Sequence, residues 1–252
     1  LKRVRQVLDR LTEANLTVNL PKSEFGRATL TYLGHEIGYG EVRTRKSKIE
    51  DIAAIKIPTS RTQLRRFLGM TGYYRRFCQN YAHVATPLTN LLEKGRRFIW
   101  TDKCQQAFEM LKHFLQANPV LVAPDPSKPF MLMVDASEDA MGAVLMQEGI
   151  DNIRHPVAYY SRKFDKHQRN YSTVEKEALG LMMALDHFEV FLKYPMHAVQ
   201  VYTDHNPLVF IDKMKGKNQR LLRWSLALQE YSLHIHHIAG RENVVADMLS
   251  RV

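Results

Sequence analysis

Four prolines, Pro119, Pro124, Pro126 and Pro129, interrupt the chain near its middle. Proline fixes φ and donates no backbone hydrogen bond, so neither a helix nor a central strand runs through such a stretch. It is the natural boundary between two folding units, and the pattern changes across it. Upstream, the first fifteen residues predict a helix with Val4, Val7, Leu8 and Leu11 on one side, closed by Asn15 before a short strand, Leu16 to Leu20. Residues 28–33 and 35–42 predict a hairpin punctuated by glycines at 34, 38 and 40. Helical spacing then covers Ser47–Ile55, Thr62–Tyr81, Val84–Lys94 and Thr101–Ala117, which together suggest a bundle. Downstream, strands are expected at Phe130–Val134, Met141–Met146 and Pro156–Tyr160 before a helix over Thr173–Leu192. A strand at Val199–Thr203, a helix at Asn218–Tyr231, a strand at Leu233–Ile238 and a terminal helix from Arg241 complete the pattern.

The chain carries a formal net charge of +10, and the positive charge is concentrated. Between Arg43 and Arg76 stand Arg43, Arg45, Lys46, Lys48, Lys56, Arg61, Arg65, Arg66, Arg75 and Arg76, opposed only by Glu50 and Asp51. Such a run is either a solvated face or a surface for phosphate backbones. No apolar stretch approaches the roughly 18 residues of a membrane span, so a soluble protein without a membrane partner is expected. Cys78 and Cys104 are the only cysteines, which argues for reduced thiols in an intracellular setting and against zinc. The opening Leu1-Lys2-Arg3-Val4-Arg5 has no initiator Met and reads as part of a helix rather than a signal peptide, as a fragment or processed product would.

The second half places carboxylates where they are expensive. Asp135 follows an apolar run of five, and Asp204 follows Val199-Gln200-Val201-Tyr202-Thr203. An acid at the end of a buried strand needs hydrogen bonds or a cation, although each could also simply cap a turn. On the intervening helix Val174, Ala178, Leu181, Leu185, Phe188 and Leu192 make one apolar stripe. At about 100° per residue, Glu177 falls roughly 55° from its centre and Glu175 roughly 105° away. Glu177 is thus expected to border the core and Glu175 to face solvent. Asp247 lies early in the terminal helix, where the positive helix end favours its ionised form. Grouped carboxylates would repel by about 4 kcal/mol per pair at 4 Å and an effective dielectric near 20, so they would need cations. Oxygen donors without cysteine suit Mg²⁺ or Mn²⁺.

These residues occur in recognisable blocks: Met133-Val134-Asp135-Ala136-Ser137, Tyr171 to Leu179, Val201-Tyr202-Thr203-Asp204-His205, and Gly240 to Asp247. In that order they resemble the ribonuclease H blocks of gypsy-type long-terminal-repeat retrotransposons, as do Asn218-Gln219-Arg220-Leu221-Leu222-Arg223-Trp224 and Leu228-Gln229-Glu230-Tyr231. The likeness extends upstream. Tyr32-Leu33-Gly34-His35 resembles the primer grip of those polymerases, and Phe67 to Phe77 resembles the thumb helix that lies along the duplex. Gly69 and Gly72 would each cost a helix about 1 kcal/mol relative to Ala, tolerable where a groove or another helix comes close.

The resemblance implies an α/β, ribonuclease H-like fold with a mixed central sheet and flanking helices over 119–252. A palm remnant with the primer-grip hairpin (1–42) and a helical thumb (43–118) would precede it. It implies hydrolysis of the RNA strand of RNA/DNA hybrids, leaving 3′-hydroxyl and 5′-phosphate ends. Two Mg²⁺ ions about 4 Å apart would serve, with Mn²⁺ as a substitute. Asp135 would bridge them, Glu177 and Asp204 would hold one, and Asp247 the other. His237 stands in a stretch similar to the mobile product-release loop of cellular ribonucleases H, and is either catalytic or a surface strand residue. Hybrid contacts are expected from Leu33, Gly34, His35, Arg65, Arg66, Gly69, Gly72, Tyr73, Arg75 and Arg76, and from Arg162, Lys163 and Arg223. Other implied partners are the missing polymerase fingers and palm, and a possible homodimer. The implied location is cytoplasmic, in a virus-like particle, or nuclear. The family's aromatic-x-Asp-Asp turn is missing, and no two aspartates are adjacent, so polymerisation by this chain alone is not expected. A related domain serves murine-type retroviral polymerases as an inactive connection, so the alternative is a non-catalytic or domesticated nucleic-acid-binding module.

Overall fold

A computed structural model describes residues 2–117, 120–150, 152–204 and 219–238. Helix α1 (Lys2–Glu13) forms as its periodicity predicts, yet buries none of its residues. The strand expected at Leu16–Leu20 does not form. Asn15 turns the chain at φ 54°, and a short 3₁₀ turn follows at Leu20–Lys22.

Strands β1 (Thr29–Tyr32), β2 (His35–Gly38) and β3 (Glu41–Thr44) make an antiparallel meander. The single strand expected over 35–42 is therefore two strands. Leu33-Gly34 and Tyr39-Gly40 all have positive φ, the geometry that lets a two-residue turn follow the strand twist.

Helices α2 (Lys46–Ala53), α3 (Arg61–Tyr73), α4 (Tyr81–Val84), α5 (Thr86–Asn90) and α6 (Asp102–Gln116) follow. Ser60 caps α3 and Thr101 caps α6, each side-chain oxygen accepting from a first-turn backbone N–H. Phe67 of α3 meets Phe108 of α6 with ring centroids 4.6 Å apart inside an apolar core. The helix expected to reach Tyr81 stops at Tyr73, where a 3₁₀ turn (Arg75–Phe77) and the left-handed Asn80 redirect the chain.

The proline-rich segment holds a strand that sequence did not show. Strand β4 (Val120–Val122) pairs antiparallel with β3 and completes the sheet order β1-β2-β3-β4. Leu121 on it is fully buried. Beyond it Gln147 fastens the chain, accepting from Asp125 N–H (2.8 Å) and donating to the carbonyls of Asp125 (2.8 Å) and Lys128 (3.2 Å).

The second sheet has the order β7-β6-β5-β8-β9. It contains β5 (Met131–Ala136), β6 (Ala140–Glu148), β7 (Arg154–Lys163), β8 (Val199–Thr203) and β9 (Leu233–His237). The first three pair antiparallel, whereas β5–β8 and β8–β9 are parallel. Helices α7 (Thr173–His187), α8 (Glu189–Leu192) and α9 (Gln219–Leu228) contribute to the apolar core over one face of this sheet. A Cβ added at Gly180 would be in van der Waals contact with Met141, Ala136 and Val134 at 3.4–3.6 Å, so α7 lies close on the strands there. The two halves meet along β7, where Ala82 N–H donates to Ser161 Oγ at 2.9 Å. The terminal helix expected from Arg241 lies outside the described residues.

Candidate metal centre and its basic surroundings

Strands β5 and β8 are parallel neighbours, with Met133 beside Tyr202. Following that register, Asp135 and Asp204 arrive at the same end of the sheet. Helix α7 supplies Glu177, and the three carboxylates offer ligand atoms all within 4.8 Å of one another. Asp135 and Glu177 are each only 4% exposed. Burial, reinforced by the nearby charges of Asp135 and Asp204, pushes the Glu177 carboxyl up to about 9, while a backbone hydrogen bond from Ala136 pulls the other way. Glu177 Oε2 is buried without a hydrogen-bond partner among the described residues. An oxygen-only donor set with an orphaned buried carboxylate oxygen fits a hard divalent cation. Asp247, the fourth expected acid, lies outside the described residues.

Glu177 lies where its helical angle predicts, but Glu175 does not. Instead of facing solvent, the Glu175 side chain is 12% exposed and pairs with Arg220 at 2.8 Å. It also closes a capping box with Ser172 at the start of α7. Arg220, on α9, lies over the Tyr171 ring at 3.9 Å. The sequence pattern assigns no role to Arg220, whose only signal is membership of the Asn218–Trp224 block. His237, at the exposed end of β9, sits with Nε2 3.1 Å from the Asp204 carbonyl oxygen. It therefore touches the backbone of one of the three acids.

The primer-grip-like turn and the thumb-like helix come together. Tyr73 O–H donates to the Leu33 carbonyl and Tyr74 O–H to that of Gly34, the latter at 3.4 Å. The His35 ring stacks on Tyr73 with centroids 5.5 Å apart. Burial, and secondarily Arg76, holds His35 below its usual pKa. On α3 and just beyond it, Arg65, Arg66, Gly69, Tyr73 and Arg75 are exposed. Among the described residues nothing lies within 4 Å of where a Gly69 side chain would stand, whereas one at Gly72 would meet the Tyr81 hydroxyl at 3.4 Å. A side chain at Gly72 would thus come into ordinary contact with Tyr81, while one at Gly69 would stand open. Arg76 is half-buried, its pKa lowered by desolvation. On the other half, Arg162 and Arg223 are exposed, while Lys163 reaches back to Asn90 Oδ1 at 3.0 Å and ties the halves together.

Carboxylates converging from two parallel strand ends and an overlying helix, in a mixed sheet of this order, define an RNase H-like domain. Residues 125–231 match the family described as the RNase H-like domain found in reverse transcriptase. The match places that stretch in the family, within a chain homologous along its whole length to retrotransposon Pol polyproteins. The retrovirus-related Pol polyprotein from transposon opus of Drosophila melanogaster is 40% identical over 262 residues, covering 100% of this chain and 26% of that protein. The Tf2-3 transposon polyprotein of Schizosaccharomyces pombe is 37% identical over 254 residues, covering 100% and 19% respectively. The chain thus spans only about a quarter or less of these curated relatives. Among solved structures, a foamy viral protease-reverse transcriptase, dRH form, in complex with double-stranded DNA superposes with TM-score 0.73 at 21% identity. That match covers 94% of this chain and 42% of the other. The foamy viral enzyme in complex with an RNA/DNA hybrid gives TM-score 0.71 at 21% identity, over 94% and 33%. These likenesses show a shared fold.

Proposed function

We propose that the chain hydrolyses the RNA strand of RNA/DNA hybrids, leaving 3′-hydroxyl and 5′-phosphate ends, while its helical half grips the duplex. The observation that carries the reading is the convergence of buried Asp135 and Glu177 and partly buried Asp204 on one point. Asp247 completes the donor set in this proposal. When Mg²⁺ ions, or Mn²⁺ in their place, are held by these acids, they supply the charge that activates water and stabilises the leaving oxygen. The chain's own part is orientation. Strand ends fix Asp135 and Asp204, and α7 brings Glu177 to them, so the acids need little rearrangement to receive a cation. In this reading His237, whose Nε2 is 3.1 Å from the Asp204 carbonyl oxygen, would help product leave.

The basic face of α3, with Arg65, Arg66, Gly69, Tyr73 and Arg75, would follow the phosphate backbone, and the Leu33-Gly34 turn docked on it would touch the same duplex. Arg162 and Arg223, both exposed, would add cationic contacts from the nuclease half. The binding of double-stranded DNA and hybrid by foamy viral enzymes of the same fold supports this assignment. In this division residues 1–42 act as a palm remnant, 43–118 as thumb and 119–252 as nuclease, with β4 lent to the first sheet. The deciding experiment is cleavage of an end-labelled hybrid with Mg²⁺, with and without chelator. Chelator-sensitive cutting of the RNA strand alone supports the proposal. A folded chain that binds hybrid but never cuts, in Mg²⁺ or Mn²⁺, replaces it with a binding module.

A further inference from the structure

Arg220, in the Asn218–Trp224 block, has no part in the chemistry above, yet it is anchored on both an aromatic ring and a carboxylate. Arg220 makes two kinds of contact at the start of α7. Its guanidinium lies 3.9 Å over the Tyr171 ring, and its Nη1 donates to Glu175 Oε1 at 2.8 Å. The carboxylate it holds is already committed locally, because Glu175 Oε2 accepts from Ser172 N–H at 3.0 Å and from Ser172 Oγ–H at 2.9 Å. One side chain on α9 therefore clamps the residue before the helix cap and the third residue of the first turn. Helix α9 is itself fixed, with Leu221, Ser225 and Leu228 buried against the domain.

Glu177 is two residues beyond Glu175. It is a buried carboxylate whose ligand oxygen lies within 4.8 Å of those of Asp135 and Asp204, so its place in the cluster depends on where the first turn of α7 is held. Helix ends fray within their first turn unless their orphan groups are satisfied. A clamp on that turn opposes such fraying. A planar guanidinium suits it, because it can stack on an aromatic face and bond a carboxylate at once, which an ammonium cannot.

We propose that Arg220 is a positioning residue for the metal centre, holding the first turn of α7 through Tyr171 and Glu175 so that Glu177 stays within reach of a cation shared with Asp135 and Asp204. The proposal rests on the metal-centre reading above. It predicts that Arg220 affects metal affinity without touching metal or substrate.

The test is direct binding of Mn²⁺ by the full chain, followed as the loss of the free-ion paramagnetic resonance signal, in parallel with thermal unfolding and hybrid cleavage. Arg220→Gln should weaken Mn²⁺ binding about tenfold, the loss typical of removing a group that orients a metal ligand. Hybrid affinity without metal should be unchanged, and activity should recover as Mn²⁺ is raised. Glu175→Gln should act in the same direction, and the double variant should be no worse than the weaker-binding single, because both act along one path. Arg220→Lys, which keeps the charge and loses the stack, should fall between wild type and Arg220→Gln and provides the same test if the glutamine variant does not fold. A folded Arg220→Gln or Arg220→Lys protein that binds Mn²⁺ like wild type overturns the inference, as do additive effects in the double variant. Asp135→Asn separates the two levels: if it too binds Mn²⁺ normally, the metal-centre reading itself falls.

Discussion

The acid cluster and the basic face of α3 carry opposite charge and are built in opposite ways. Asp135 and Glu177 are buried on a strand and a helix whose positions the apolar core dictates. Arg65, Arg66 and Arg75 are exposed, with conformations that packing does not fix. A buried site gains geometric precision and bears a desolvation cost that a bound cation or a proton relieves. An exposed face incurs little of that cost and acts by summed charge, tolerant of the loss of one member.

That contrast is sharpest at Asp135→Asn. Several kcal/mol of charge stabilisation disappears with the ligand, so hybrid hydrolysis should fall by about a thousandfold at roughly 1.36 kcal/mol per tenfold. Hybrid affinity measured by anisotropy should stay within a few-fold. Cleavage near the wild-type rate would remove the distinction between a precise centre and a diffuse surface.

The basic face should behave differently. Neutralising Arg65, Arg66 and Arg75 together should weaken hybrid binding and lower the slope of log affinity against log salt by about 0.7–0.9 for each phosphate left without its cation. Arg76, half-buried, should cost thermal stability more than it changes that slope. An unchanged slope in the triple variant would reduce the run to a solvated face.

A third test uses pH without metal. Folded Glu177 keeps its proton up to about pH 9, whereas the unfolded chain gives it up around the ordinary 4.5. Between those values the native state binds more protons, so the stability contributed by this group is complete below 4.5 and declines as pH rises toward 9. The midpoint of denaturant unfolding should therefore drop between about pH 5 and pH 8 in wild type and change less in Glu177→Gln. Equal slopes would mean that the centre is not strained by burial.

The smallest effect concerns two glycines. Gly69→Ala should stabilise α3 by about 1 kcal/mol. If nucleic acid approaches the helix there, it should also weaken hybrid binding severalfold. Gly72→Ala, already near Tyr81, should change binding little. Equal binding by both variants would remove the backbone approach at Gly69 from the proposal.

Burial also explains how much of the site is legible in the sequence. Asp135 and Asp204 stand out because an acid after a strand-like run is costly, and Glu177 because helical angles place it beside an apolar stripe. Glu175 misleads because angle alone cannot see a cation arriving from α9, 45 residues further along the chain. Tyr39-Gly40 passes for strand because its positive φ leaves little trace in hydrophobic pattern. Lys163 has the charge of a phosphate ligand, but its partner Asn90 lies on another element. Local periodicity reports what the core requires, while pairings between distant surface groups need the fold.

The pairing of β4 with β3 has a consequence for synthesis. The chain must emit α2 through α6 before the strand that covers the edge of β3 exists. Until Val120–Val122 emerges from the ribosome, the meander offers an open edge, able to recruit the same segment of a neighbouring nascent chain. The first sheet is begun early and closed late, so its integrity depends on an uninterrupted passage of translation through the helices between.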